Sequence, residues 1–553
     1  MSNESVFLCL GSPSVGPAAS PAWTADAWRG KVLAEGLTRA AAGLTGGFAI
    51  GLSEPDGSGY LAVDKFAVQT LCYRVVDGRL RFAERADALA DEHTEIDPQA
   101  IFDYLYFHCI PSPRTIFKGI HRLPPGCSAQ YANGQLTVQH FWVPEFSEPT
   151  SGSFDALRDE FRHLLDKSVA RQLDGSKPAC FLSGGTDSSS VAGLIGQVGG
   201  RPASTYSIGF EAQGYDEMAF ARIAAKRFGT DHHEYYVTPD DLVRGIGHVA
   251  GSYDQPFGNS SALPAYYCAK FARDDGVTKL LAGDGGDELF GGNSRYAMQR
   301  IFGWYGRLPA SFRSAVMEPL FRPGAFKGIP VLGKGAGYIN QAKVPMPDRL
   351  QMYNLLRRLG FAEVLTPGFL AQVDPDDAGN QQRAVWALAI AQEPINRTLA
   401  YDWRYTLAES DLPKVRGTTQ LADVGVGFPF LDDELLSFSM RLPADYKLKG
   451  LKLRWFFKEA LRGFLPDEII TKKKQGFGLP FGVWVTQHDA LRQLAVESLN
   501  SFAQRGIVRP DFIRPLLETL LPEHPGYYGE MVWIVMMLEQ WLRRHRPDYR
   551  LAH

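Results

Sequence analysis

The chain reads as an α/β protein in two parts, a β-rich front and a larger rear unit built on a doubly wound parallel sheet with helical elaboration. Three observations carry this expectation. Up to about residue 95, short apolar runs are separated by glycine-rich connections, the pattern of small strands and tight turns. From about residue 155, strand-like and helix-like segments alternate, as parallel strands joined by crossover helices require. Finally, Ala179-Cys180-Phe181-Leu182 passes through Ser183-Gly184-Gly185-Thr186-Asp187-Ser188 into the small and apolar residues Ser189 to Gln197. That is strand, loop, helix.

With 553 residues the chain has room for three or four structural units. Hydrophobic content of 45% and charged content of 22% are those of a globular protein with a sizeable core. A net charge of -3 offers no basic surface, so nucleic acid is not an expected partner. Six cysteines, at positions 9, 72, 109, 127, 180 and 268, form no metal-type spacing, which points to reduced thiols and a cytoplasmic setting. The front lacks a signal-peptide pattern, and the apolar segment Met531 to Leu538 is far short of the roughly 20 residues that span a bilayer. A soluble protein without a membrane partner is expected.

Taken in order, the front strands are expected at Val6 to Leu10, Gly47 to Leu52, Gly59 to Asp64, Leu71 to Val76 and Leu80 to Ala83, with Cys9 a core residue of the first. Asp97 to Phe146, rich in aromatics and prolines, reads as a bridge between the two parts. A polar linker near Glu148 to Phe154 precedes helical apolar spacing over Leu157 to Gln172. Beyond the central loop come a strand at Ala203 to Phe210, a helix from Tyr215 to Phe228 closed by Gly229, and a strand from His233 to Val237. Between about Arg295 and Leu412, Trp304, Phe312, Tyr353 and the stretch Val385 to Tyr405 suggest amphipathic helices.

Three constellations carry chemistry. In the first, two adjacent glycines let backbone N–H groups converge on an oxyanion, hydroxyls add donors, and the following helix presents its positive end. No Walker A lysine follows, but Asp187 is a hard oxygen ligand suited to Mg2+ on a phosphate chain. The second is Leu280-Leu-Ala-Gly-Asp-Gly-Gly-Asp-Glu-Leu-Phe-Gly-Gly292, an apolar strand entering a glycine-rich turn with Asp284, Asp287 and Glu288. A carboxylate at each of two strand ends can share one Mg2+. The third is Lys472-Lys473-Lys474 before Gln475-Gly476-Phe477-Gly478, a basic run that is ordinarily a solvated face.

The full string Ser183 to Ser188 resembles the pyrophosphate loop, SGGxDS, of the N-type ATP pyrophosphatases, and the similarity to the asparagine synthetase family runs from roughly residue 45 to residue 485. That resemblance implies an Ntn-hydrolase-like (class II glutamine amidotransferase-like) front, residues 1–145 with the bridge, and an adenine nucleotide α-hydrolase-like synthetase domain over 155–545. It implies an enzyme that cleaves ATP between the α- and β-phosphates, activates a carboxylate as acyl-AMP and passes it to ammonia or an amine. By resemblance Leu182, Ser183, Gly184, Gly185, Thr186, Asp187, Ser188, Ile208, Ala282 and Gly283 bind ATP and pyrophosphate. Asp187 and Asp287 would hold Mg2+, Asp284 would orient or deprotonate the attacking amine, and Lys474 would stabilise the departing pyrophosphate, with Lys472 and Lys473 as surface charges. Tyr253 to Phe257 and Asn259 to Ser261 would wall the acceptor pocket. His232 and His233 match a helix-to-strand junction without a metal role.

Two departures matter. The family's glutaminase works through an N-terminal cysteine, whereas this sequence begins Met1-Ser2-Asn3, so a remnant front domain is expected. Before Phe428-Pro-Phe-Leu-Asp432 the family carries an Asp-Arg pair, a Ser-Met and a Glu-Val-Arg run; here Lys414 to Gly427 lacks these charges and has glycines instead. The expected reading is an asparagine synthase-like ligase, the alternative a natural-product or peptide-tailoring ligase such as a lasso-peptide cyclase or β-lactam synthetase, and the non-enzyme alternative a nucleotide-binding protein. A small carboxylate or peptide and an ammonia or amine donor are the expected partners, with a homodimer allowed.

Overall fold

The computed structural model describes residues 4–16, 22–149, 151–317, 319, 330–473, 476 and 478–552. In the front unit β1 (Val6–Gly11), β2 (Phe48–Ser53), β3 (Gly59–Val63), and later β4 (Cys127–Ala132) and β5 (Gln135–His140) form one antiparallel sheet in the order β1-β2-β3-β4-β5. Both faces of its centre are covered. Alternation puts Ala49, Leu61 and Val63 toward a small sheet of Cys72–Val76, Arg79–Ala83 and His121–Arg122. It puts Phe48, Ile50 and Leu52 toward helices Ala25–Glu35 and Leu37–Ala42.

All five expected front strands are present within a residue or two. The two helices were not expected there, although Thr24 caps the first through its side-chain oxygen and Trp28 and Val32 share its buried face. Cys9 is only half-buried, because β1 is an edge strand. The bridge does join the units: helix α1 (Pro98–Phe107) buries seven consecutive residues from Ala100 to Tyr106, and Tyr104 donates to the Ile534 carbonyl at 2.8 Å.

The rear unit is organised by a parallel sheet. Its strands in chain order are β6 (Ala179–Phe181), β7 (Ser204–Phe210), β8 (Asp231–Val237), β9 (Lys279–Leu281) and β10 (Gly425–Gly427). Their spatial order is β8-β7-β6-β9-β10, every pair parallel. The chain therefore winds one way from β6 through β7 to β8 and then returns to the other side of β6. Ligands bind where that reversal parts neighbouring loops, at the carboxyl ends of the two central strands. Here those strands are β6 and β9, paired at Cys180 and Leu281.

Helices α2 (Phe154–Gln172), α3 (Thr186–Gly199), α4 (Met218–Phe228), α5 (Pro239–Ser252) and α6 (Ala262–Asp274) cover this sheet. Helix α4 starts three residues later than Tyr215, where the Asp216 carboxylate accepts the Met218 N–H, and ends at Gly229 with φ +62°. His232 and His233 lie within β8 and not at its junction; His232 meets Thr205 at 2.9 Å and His233 approaches Asp231 and Asp275. The region from 295 to 412 is helical among its described residues. The aromatics that suggested this do not form its core: Trp304, Phe312 and Tyr353 are exposed, Tyr353 in a turn. Packing there comes from Tyr296, Leu399, Tyr401 and Trp403.

Met531 to Leu538 belong to the terminal helix Pro525–His545 and are buried by α1, α5 and their neighbours. No helix among the described residues is long and apolar enough to cross a membrane. Trp541 in that helix is fully buried, donates to the Tyr253 carbonyl at 3.0 Å and stands 6.1 Å from the Phe117 ring of the bridge. Trp541→Ala is expected to cost about 3–5 kcal/mol, read as a lowered urea midpoint; an unchanged midpoint would show that this helix does not tie the units together.

Candidate functional site

The loop after β6 is shaped by contacts that only glycine permits. Gly184 has φ +68°, and a Cβ on it would fall 2.5 Å from the Ala221 nitrogen and 2.6 Å from the Phe220 carbonyl carbon. Ser183 and Ser188 hydroxyls meet at 3.0 Å, the Ser188 Oγ accepts the Ser183 N–H, and the Ser183 Oγ accepts the Gly185 N–H. Gly185 then opens the 14-residue helix α3 with no side-chain cap, so the first-turn N–H groups around Thr186 and Asp187 face the loop. Leu182 is buried and clamped to β7, donating to the Tyr206 carbonyl and accepting from Ser207. Ile208 lies two residues beyond Tyr206 in β7 and is half-buried.

The second loop lies against the first backbone to backbone. A Cβ on Gly283 would sit 2.9 Å from the Ser188 nitrogen and 3.0 Å from the Asp187 Cβ. Ala282 is buried and donates to the Gly427 carbonyl of β10. Gly285, at φ +98°, turns the chain into the short helix Gly286–Phe290, which carries Asp287 and Glu288. Glu288 is buried and held well above the usual carboxylate range by burial and by Asp287. The structure thus brings together Leu182 to Ser188, Ala282, Gly283, Asp284 and Asp287, the residues that the resemblance implies, with Ile208 further along β7.

Between the two loops stands a residue the sequence reading did not single out. Arg454 Nη1 donates to Asp187 Oδ2 and to Asp287 Oδ1, each at 2.7 Å, and to Thr186 Oγ1 at 2.9 Å, while Nη2 bonds Asp187 Oδ1. Its guanidinium lies 3.9 Å over the Phe457 ring and the side chain is 4% exposed. Two carboxylates converging on one cationic nitrogen form the hard-oxygen pair that Mg2+ accepts alongside phosphate oxygens. They fit that ion as partial ligands: among the described residues no cluster of three His, Cys, Asp or Glu could hold a metal by itself.

A second ion group borders the site. Asp284 approaches Lys414 Nζ at 3.7 Å, and Lys414 pairs with Asp411 at 2.8 Å. Burial pushes the Asp284 carboxyl up to about 6, the nearby Lys414 charge opposing this. Burial works against the Lys414 charge, yet Asp411 and Asp284 together hold it above the ordinary lysine value. Asp411 ends a π-helical stretch, Trp403–Asp411, whose wide turns deliver Glu409 and Asp411 to different neighbours. Lys414 lies in the first turn of helix α7 (Leu412–Leu421), and its carbonyl accepts the Tyr253 hydroxyl at 3.4 Å.

Tyr253 also lines a cavity of about 260 Å3 at the seam of the two units. Its wall includes Tyr253 to Phe257 with Arg122, Glu409 and Arg416. The expected acceptor-wall segment thus splits: Tyr253 to Phe257 line this cavity, while Asn259 bonds Ser410 beside Asp411. The glycines that replace charged residues split as well. Gly417 packs on the Tyr253 ring, whereas Gly425 and Gly427 form β10 and line no cavity among those described.

Lys474 lies outside the described residues. Lys473 is exposed, but Lys472 is not the surface charge expected of it: it is 10% exposed, pairs with Glu217 at 2.7 Å and lies 4.5 Å over the Phe220 ring. Phe220 is the residue against which Gly184 packs, so Lys472 is pinned beside the first loop.

Comparison with known proteins agrees with this geometry. The asparagine synthase family profile matches residues 160–543, and the glutamine amidotransferase domain profile matches residues 32–142. The chain is similar to asparagine synthetase [glutamine-hydrolyzing] 1 of Bacillus subtilis, 24% identical over 89% of this chain and 77% of that protein. It is 27% identical to a putative asparagine synthetase [glutamine-hydrolyzing] of Mycobacterium tuberculosis over 78% of this chain and 66% of that one. A more distant similarity, 23% identity over 79% of this chain and 71% of the other, is to Amidase chyE of Penicillium rubens. A family profile covering most of the chain, together with two glycine loops abutting at the reversal point of a parallel sheet, establishes that the chain belongs to the asparagine synthase family of ATP-dependent carbon–nitrogen ligases.

Proposed function

We propose that the rear unit, residues 155–545, adenylates a small carboxylate at the Ser183–Ser188 loop and transfers the acyl group to ammonia or an amine beside Asp284. The observation that carries this reading is the convergence of Asp187 and Asp287 from two different strand ends on one point at the mouth of the first loop. A triphosphate laid on the uncapped start of α3 meets the N–H groups of Gly185 to Asp187 and the Ser183 and Thr186 hydroxyls. Leu182, Ile208, Ala282 and Gly283 flank it on the nucleoside side, with Lys474 as the proposed phosphate contact from the third constellation. Asp187 and Asp287 would hold Mg2+, which neutralises the pyrophosphate as it leaves.

In the first step the substrate carboxylate oxygen attacks the α-phosphorus and the bond to the β-phosphate oxygen breaks, giving acyl-AMP and pyrophosphate. In the second the amine attacks the acyl carbon, AMP leaves, and the nitrogen gives up a proton. Asp284 suits that proton: it is ionised above its raised value, and Lys414 at 3.7 Å keeps it oriented. The nitrogen source is ammonia in the primary reading, which makes the protein asparagine synthase-like. One observation favours the tailoring-ligase reading, in which the nucleophile is an organic amine. The cavity beside Tyr253 is lined by charged side chains and is about 260 Å3, far more room than ammonia needs.

Asp187→Ala and Asp287→Ala are each expected to lower carboxylate-dependent ATP–pyrophosphate exchange at least about 100-fold. Exchange at the parent rate in either variant removes the cation assignment. Because the Asp284 value is raised, its charged form is present above about pH 6 and lost below it. Acyl transfer to an added amine of low basicity, one that stays unprotonated across this range, should therefore fall about tenfold per unit below that pH while exchange persists. Asp284→Asn should abolish that pH step, and an unaltered profile in the variant would assign the proton to another group.

A further inference from the structure

Arg454 is costly to build. A guanidinium with 4% exposure has given up nearly all of its water, and that loss is offset only if charged partners replace the solvent. The chain supplies two carboxylates, a hydroxyl and an aromatic face for this one side chain. It also sets the residue in the left-handed region, φ +53°, which any L-residue bearing a Cβ enters at a cost. The turn has a purpose: it follows the tight hairpin of Leu448–Lys449 and Lys452–Leu453 and starts the helix Trp455–Ala460, aiming the side chain back into the sheet.

We propose that Arg454 is a resident counter-ion occupying the divalent-cation position, which admits the metal only together with the nucleotide. This rests on the reading above that Asp187 and Asp287 hold the cation. Nη1 touches one oxygen of each carboxylate at 2.7 Å, and a cation bound between those same oxygens would claim that volume and repel that charge. Two carboxylates alone, without phosphate oxygens, are a weak site, and displacing the guanidinium would leave a buried charge unpaired. A triphosphate on the neighbouring loop removes the obstacle. It brings its own oxygens to the metal, and it gives the displaced guanidinium, already bonded to Thr186 of that loop, an anionic partner suited to a planar fork. Arg454 is thus a positioning residue: it keeps two like charges together when no metal lies between them and couples metal entry to nucleotide entry.

The test measures Mn2+ binding to the full-length protein by electron paramagnetic resonance, alone and with a nucleotide whose α–β bridging oxygen is replaced by methylene. The parent protein is expected to bind no Mn2+ alone up to about 1 mM, and to bind it when the nucleotide is present. Arg454→Gln should take up Mn2+ without nucleotide at least about tenfold more tightly than the parent, and its melting temperature should rise on Mn2+ addition alone. Arg454→Lys, which keeps the charge, should still exclude free Mn2+. Micromolar binding of free Mn2+ by the parent would overturn the proposal, as would a folded Gln variant no tighter than the parent. If the Gln variant does not fold, the parent and Lys arms decide. Failure of the parent to bind Mn2+ even with nucleotide would instead overturn the underlying cation assignment, and this proposal with it.

Discussion

The pairing of Cys180 with Leu281 is the constraint from which the site follows. Two strands far apart in the chain are made neighbours, so their outgoing loops have nowhere to go except against each other. Gly283 then has to be glycine because Ser188 and Asp187 are already in its space. Once the loops abut, Asp187 and Asp287 are forced together, and a cation at that point becomes an electrostatic necessity. The front unit, the bridge and the terminal helix pack around this arrangement and hold its outer walls.

Much of this was legible in the residues. Glycine doublets after apolar runs mark both loops, because at Gly184, Gly285 and Gly286 the backbone conformation or closeness admits no side chain, and the five front strands follow from alternation and turn residues. The rest was hidden for identifiable reasons. Arg454 sits in Leu451-Lys452-Leu453-Arg454-Trp455, where nothing local separates it from Lys452; its role comes from a left-handed turn that the sequence does not announce. Lys472 looked like one solvated charge among three, and only its pairing with Glu217, 255 positions upstream by numbering, turns it inward.

The aromatics teach the complementary lesson. Trp304, Phe312 and Tyr353 suggested amphipathic helices, and the region is helical among its described residues, yet all three face solvent and the packing is done by residues such as Tyr296 and Tyr401. Large apolar side chains mark helices well and their buried side poorly, since a folded surface always retains much apolar area. The glycines of the atypical 414–427 segment divide by the same logic. Gly427 is fixed by Gln172 and Leu281 inside the sheet, while Gly417 yields to the Tyr253 ring and so helps shape the cavity.

The seam between the units has a consequence for anyone handling the gene. Arg416 on α7 reaches Thr70 and Gln69 of the front, Asp433 accepts the Gly46 N–H and pairs with Lys65, and Asp254 accepts the Ala86 N–H. These are ionic groups, largely shielded, whose partners all lie across the divide. Trimming the front away to obtain a minimal catalytic half would strand a guanidinium and two carboxylates on a freshly bared surface beside the very helix that presents Lys414. The front unit is therefore a structural wall of the synthetase, whatever its own chemistry.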